Sequence, residues 1–401
     1  MSQSKPDSPL RVLVMSTYVP RECGIATYAE DVIRAVEPHG AACRVLAMER
    51  PDEHYAYDDR VIGAVREDRL GNYLRAADAI NHGGFDVLSL QHEFGIYGGI
   101  YADHLLRFLE AVRLPVVVTF HTMVRNPSPA MRRNQRAIAQ RADAIVVMNG
   151  LATEILRQVY DADPGKVRVI HHGAPVPHRE RGEEIKRDLG LEGRRMISTF
   201  GLLNPTKGVE YMVQAMPEIV RKYPDAVYLI LGRTHPVLRR EEGERYRDSL
   251  ADITRELGVE EHVRFVNRYL TREEVVTYLL ATDAYVTPYI DLEQITSGTL
   301  AYAMGMGCPI VATPYLHAQY LLAGGRGLLV PERDPGALAG AALRLFDDPE
   351  LKARMERLNW EYGQTLLWPL VGAEYLRVFR QAAGDDRDDR RWTLRQVLFN
   401  A

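Results

Sequence analysis

Short apolar runs alternate with stretches of helical periodicity along most of this chain. Arg11-Val-Leu-Val-Met15 reads as a buried strand, and apolar residues at 26, 28, 32, 33 and 36 predict a helix over 26–36. The same alternation gives a strand at 87–90, a helix at 100–112, a strand at 115–120, a helix at 130–142, and strands at 144–148 and 167–170. Residues 174–195 break it with Pro175, Pro177 and a dense mixture of charges, which reads as a crossing between domains plus a solvated helix. The pattern then restarts. Strands are predicted at 196–200, 227–231, 263–266, 284–287 and 309–312, with helices at 209–223 and near 299–306. Residues 349–376 look helical but are interrupted by Gly363 and Pro369. Strands alternating with helices predict parallel, doubly wound sheets. Two such halves joined by a linker predict an α/β chain of two Rossmann-like domains facing a cleft.

Composition narrows the class. At 401 residues the chain is long enough for two or three domains. Lys plus Arg number 50 against 54 Asp plus Glu, a net charge of −4, so there is no basic excess for nucleic acid. The three cysteines, Cys23, Cys43 and Cys308, show no metal-ligand spacing and no disulfide framework, which predicts a reduced, cytoplasmic protein. The first nine residues are polar and Pro-broken, unlike a signal peptide, and are expected to be a disordered lead-in. No apolar run approaches the ~20 residues of a membrane span, so membrane contact is at most peripheral. The run of charges over 385–391 reads as a solvated end.

Candidate chemistry gathers where predicted strands end. The loop after the first strand carries Gly24 at the entry to a helix, which suits a phosphate as well as it suits a plain strand–helix turn. It lacks G-x-G-x-x-G, so no dinucleotide fingerprint is present. His92, within Gln91-His92-Glu93, His121, His171 and His172 all follow predicted strands, where doubly wound sheets bind ligands. Any one of them reads as a satisfied core histidine; their joint placement singles out His121 and the Gln91–Glu93 group. Lys207 stands just before the helix at 209 and suits a diphosphate, although an ordinary first-turn lysine fits too. The segment 291–309 is the most informative. Ser297, Gly298 and Thr299 can cap a helix and offer amides to an anion, and the polar entry with Glu293 and Gln294 is more than a core helix needs. Arg132, Arg133, Arg136 and Arg141 form a basic stretch without an acid. It reads first as a solvated helix face and second as a contact for an anionic acceptor or lipid surface.

Taken in order, these pieces resemble the retaining GT-B-fold glycosyltransferases of family four over roughly residues 10–380. Residues 20–24 resemble the family's glycine-containing first loop, and Thr119-Phe-His121-Thr122 resembles the stretch holding the histidine beside the transferred sugar. His172-Gly173 stands where the family often has Asn-Gly. Residues 200–208 resemble Val-Gly-Arg-Leu…Lys-Gly, which makes Lys207 the diphosphate lysine. Residues 303–313 resemble Glu-Ala-Met-Ala-x-Gly-x-Pro-Val-Val-Ala. Two departures stand out. Leu202 occupies the place of the family arginine, and Gln294 and Tyr302 occupy those of its two glutamates, with Glu293 adjacent to the first.

The resemblance implies a fold and a reaction. Residues 1–175 would form an acceptor-binding domain, completed by a crossing helix at about 365–385. Residues 176–364 would bind the donor, and residues 386–401 would be a charged tail. The implied function is retaining transfer of a hexose from a nucleotide-diphosphate sugar to a hydroxyl of a carbohydrate or glycoconjugate acceptor. No cofactor and no metal are expected. The implied catalytic residues are His121, Lys207, Gln294 and Glu293. The donor and its phosphates would meet Gly24, Lys207, Ser297, Gly298, Thr299, Arg233 and Tyr302, with His235 a further base or phosphate contact. Gln91, His92, Glu93 and His172 would line the acceptor or sugar pocket. The rival readings are a non-catalytic nucleotide-sugar or glycan-binding protein and a nucleotide-sugar epimerase of the same fold.

Overall fold

The computed structural model describes residues 8–385. Residues 1–7 of the expected nine-residue lead-in and the charged tail at 386–401 lie outside the described residues. The chain forms two compact units; it passes from the first to the second after His172 and returns after Leu367.

The first unit is built on a seven-stranded, all-parallel sheet. Its strands are β1 (Leu10–Ser16), β2 (Ala41–Glu49), β3 (Val61–Arg66), β4 (Val87–His92), β5 (Val116–Phe120), β6 (Ala144–Val147) and β7 (Val167–Val169). They lie in the order β3-β2-β1-β4-β5-β6-β7. Strands β4, β5 and β6 are buried at every position, as expected where helices cover both faces of a parallel sheet. The order reverses between β1 and β4, and such a switch point opens a crevice at the carboxyl ends of the strands.

The second unit repeats the plan with β8 (Arg195–Phe200), β9 (Ala226–Leu231), β10 (Val263–Val266), β11 (Ala284–Thr287), β12 (Ile310–Ala312) and β13 (Leu328–Leu329). Its order is β10-β9-β8-β11-β12-β13, with the switch between β8 and β11. The helix Trp368–Ala382 belongs to the first unit and packs on the helix Gly24–Val36. Gly372 makes that close approach possible: a Cβ there would strike the carbonyl of Ala35.

Several details depart from the sequence pattern. The helix expected from 100 begins at Asp103, because Tyr101 (φ 50°) and Ala102 (φ 65°) are left-handed. Asn134 holds that turn, its amide donating to the carbonyls of Ile100 (2.8 Å) and Tyr101 (3.2 Å). The helix within the crossing segment, Glu183–Asp188, is not wholly solvated: Ile185 and Lys186 are buried, and Lys186 pairs with Asp283 at 2.8 Å. Strands β2 and β3 and the helix Leu70–Asn81 fall where the pattern predicts no element. No helix among the described residues is long and apolar enough to cross a membrane.

Candidate functional site

In the first unit, the candidate residues collect where β4 and β5 end. Gln91 and His92 close β4, and both are fully buried. His121 follows β5, its backbone N–H donating to the carbonyl of His92 at 3.1 Å. The His121 Nε2 meets the Gln91 Oε1 at 2.9 Å. Tyr28, on the helix Gly24–Val36, stands edge-on to His121 (centroids 4.8 Å apart), to His172 (4.9 Å) and to Trp368 (5.3 Å). Its hydroxyl is bonded to that of Tyr375 at 2.7 Å, which in turn meets the Thr119 hydroxyl at 3.1 Å. Burial, reinforced by repulsion from His172 and His92, pulls the His121 imidazole down to about 3. The ring is therefore neutral at physiological pH.

Glu93 and His92 have different surroundings. The Glu93 carboxylate accepts from the Phe94 amide (2.9 Å) and the Thr122 hydroxyl (2.5 Å), and burial raises its affinity for a proton. His92 sits in a box of Phe94, Tyr97 and Phe120, and neither ring nitrogen has a hydrogen-bond partner among the described residues. Burial brings it to about 3 as well. Gly24 begins its helix, and a Cβ there would meet nothing within 4 Å. No protein acceptor among the described residues takes the amides of Gly24, Ile25 and Ala26, the first turn of this helix, and the space beside Gly24 is open.

In the second unit, the loop after β8 and the loop after β11 hold one another. The Ile290 amide donates to the Thr206 carbonyl at 3.0 Å. Gly208 (φ 59°) packs so tightly on Pro288 that a Cβ would collide with its carbonyl oxygen and lie 3.1 Å from Ile290 Cγ2. This contact places the Lys207 ammonium over the Tyr289 ring, 3.9 Å from its centroid. Lys207 has no carboxylate partner among the described residues. The Tyr289 hydroxyl meets Thr299 Oγ1 at 2.9 Å, and Thr299 meets Ser297 Oγ at 3.2 Å.

The helix Gly298–Gly305 starts at this point, with the Ser297 hydroxyl capping the Leu300 amide at 3.3 Å. The Ser297 amide is already taken by His317 Nδ1 at 2.8 Å, so Ser297 has no amide to spare for an anion. The amides of Gly298 and Thr299 have no acceptor among the described residues. A lysine, two open amides and the positive end of a helix are each suited to an anion, and Tyr289 touches both the lysine and Thr299.

The remaining candidates lie around this cluster. The Gln294 side chain donates to the Thr296 carbonyl at 2.9 Å, and the Glu293 amide donates to the Asp291 Oδ1 at 3.1 Å. Tyr302 is buried within the helix. The Arg233 carbonyl accepts from the Leu203 amide at 2.8 Å, which joins its loop to the lysine loop. His235 caps its own short helix at Val237. Leu202, in the place of the family arginine, is half-buried in the same loop.

Arg132 and Arg133 are exposed, whereas Arg136 pairs with Asp161 (2.9 Å) and Arg141 donates to the carbonyls of Leu109, Val112 and Leu114. The chain carries an Asp-x-Asp, Asp161-Ala162-Asp163, which is the motif of metal-dependent transferases in appearance alone. Asp161 is a left-handed helix cap paired with Arg136, and Asp163 caps the Gly165 amide at 2.8 Å. Tyr28, Tyr289 and Tyr375 were not singled out by sequence. Tyr289 lies two residues past β11, so its strand-end position was a usable signal; Tyr28 and Tyr375 look like ordinary helix-core residues.

A family model described as Glycosyltransferase Family 4 matches residues 23–176, and one described as Glycosyl transferases group 1 matches residues 194–348. The D-inositol 3-phosphate glycosyltransferase of Corynebacterium glutamicum (strain R) is 27% identical over 296 residues, covering 69% of each chain. The sucrose-phosphate synthase of Thermosynechococcus elongatus has a TM-score of 0.74 at 18% identity, covering 93% of this chain and 98% of that one. Anabaena HepE, solved with UDP and glucose, has a TM-score of 0.74 at 14% identity, covering 93% and 100%. The two structural likenesses show a shared fold.

Proposed function

The chain belongs to the group 1, family 4 glycosyltransferases, and from that premise we propose that it moves a hexose from a nucleotide-diphosphate sugar to a hydroxyl of a carbohydrate or glycoconjugate, with retention and without a metal ion. The observation that carries this reading is the anion site of Lys207 with the Gly298 and Thr299 amides. When the anomeric bond breaks, the electron pair stays on the departing diphosphate. Fixed positive groups aimed at that charge lower the barrier. In a front-face transfer the leaving phosphate oxygen takes the acceptor proton as the new glycosidic bond forms on the same face. No side-chain nucleophile is then required. Gly24 and its open helix start would supply further amides to the phosphates. His121 would border the transferred sugar, and Gln294 and Glu293 would read its hydroxyls. The ligand of Anabaena HepE supports a nucleotide sugar as donor. Three cysteines without a disulfide support a reduced, cytoplasmic setting.

The test is a labelled-donor assay with an acceptor mixture. Nucleoside diphosphate should appear together with glycosylated product and depend on acceptor. Lys207→Ala should cut turnover by ~10²–10³-fold, the scale for losing one donor to a developing anion. Turnover near that of the unchanged protein would refute the donor-site assignment. Binding without turnover under every acceptor would favour a receptor role, and sugar interconversion without acceptor would favour an epimerase.

A further inference from the structure

We infer that Gln91 is a positioning residue that fixes the tautomer of His121, so that the ring presents its Nδ1 lone pair to a hydroxyl of the transferred sugar. The inference rests on the functional reading above, and it gives Gln91 a different task from contact with a ligand. Gln91 is fully buried, with no surface to offer a substrate.

The Gln91 Oε1 faces the His121 Nε2 at 2.9 Å. An amide oxygen accepts and cannot donate, so the proton of this pair sits on Nε2. A neutral imidazole carries one ring proton, which leaves Nδ1 as a bare acceptor. Three things hold Gln91 in place. It lies on β4, the Tyr97 hydroxyl donates to its backbone carbonyl at 2.8 Å, and its Nε2 reaches Ser89 Oγ at 3.4 Å. His121 is held by its backbone bond to His92 and by the Tyr28 ring.

The surroundings also keep the ring uncharged. The titratable groups around it are Tyr28, His92 and His172, with Glu93 engaged by Thr122 and the Phe94 amide. None of these bonds pairs a carboxylate with the ring. The His121 Nδ1 has no partner among the described residues, and the residue keeps 8% exposure. The sealed, unpartnered nitrogens of His92 show the contrast: two neighbouring histidines are both neutral, and one is open and oriented while the other is enclosed. An acceptor of this kind selects a sugar hydroxyl that donates.

The experiment uses the full chain labelled with ¹⁵N-histidine, with His121→Gln identifying the ring signals. The unchanged protein should show His121 protonated at Nε2 and neutral from about pH 5 to 8. Gln91→Leu should lose this fixed pattern and lower kcat roughly 10- to 100-fold, the scale for removing an outer partner that orients a histidine, with the KM for acceptor little changed. Gln91→Glu should keep the Nε2 proton and restore the rate on the alkaline side. It should also add an acid limb to the pH profile, because a carboxylate draws the ring toward imidazolium. A ring protonated at Nδ1 in the unchanged protein overturns the inference, and so does a Gln91→Leu variant that keeps both tautomer and rate. The spectrum needs no turnover, so a chain that transfers no sugar overturns the functional reading separately.

Discussion

Gly208→Ala tests how the Lys207 site is held. Two costs act at this position and can be separated. The first is backbone: φ is +59°, and a non-glycine residue there costs ~1–2 kcal/mol. The second is contact: the new Cβ would fall inside the Pro288 carbonyl oxygen and 3.1 Å from Ile290 Cγ2. Backbone cannot yield there cheaply, because the Thr206–Ile290 hydrogen bond joins the same two loops. The lysine loop must therefore withdraw by roughly 1 Å, a displacement able to cost ~10²-fold in rate.

Gly258→Ala supplies the control. Its φ is +65° and a Cβ there meets nothing within 4 Å, so it carries the backbone cost alone. Thermal unfolding and acceptor-dependent release of nucleoside diphosphate should be measured on both variants. Gly258→Ala should be modestly destabilised and fully active. Gly208→Ala should be destabilised further and should lose turnover and nucleotide-induced thermal stabilisation. If the two variants match in stability and turnover, the Pro288 contact does not position Lys207.

Other perturbations have equally definite outcomes. Burial alone would raise the Asp283 carboxyl, yet Lys352 (2.7 Å) and Lys186 (2.8 Å) hold it below its ordinary value. Its contribution is thus present above the unfolded carboxylate range and lost as pH falls through the depressed folded value. Asp283→Asn should cost ~3–5 kcal/mol near neutral pH, a deficit that shrinks in acid by chemical denaturation. Gly372→Ala should drive the helix Trp368–Ala382 off Ala35 at a cost of ~1–3 kcal/mol, read by the same method. Transfer should persist in a chelator, and restoration by magnesium after loss would refute the metal-free reading. His121 is held near 3, so it should contribute no limb to the kcat/KM profile from about pH 5 to 8.

Hydrophobic periodicity alone located most of the strands, because burial in a parallel sheet imposes continuous apolar runs such as Val116-Val117-Val118. The same pattern passed over β2 and β3. The latter is an edge strand with Gly63 and exposed Ile62, so its side chains carry little burial signal. Lys207 and Ser297 to Thr299 were legible from local order, since a lysine or a cap at a helix start has meaning within a few residues. Their convergence through Tyr289 was not, because it depends on two loops brought together by the β8–β11 switch.

The remaining site chemistry is tertiary for the same reason. Gln91 and His121 are thirty residues apart in sequence, and adjacent strands bring them within hydrogen-bond reach. Tyr28 and Tyr375 lie 347 residues apart, and they meet because Gly372 lets two helices touch. The sequence by itself determined the α/β class, the strand-end placement of the polar residues and a family resemblance. Strand order and register decided which of those residues share a proton, which open to a ligand and which are sealed, since that depends on distances no local pattern encodes.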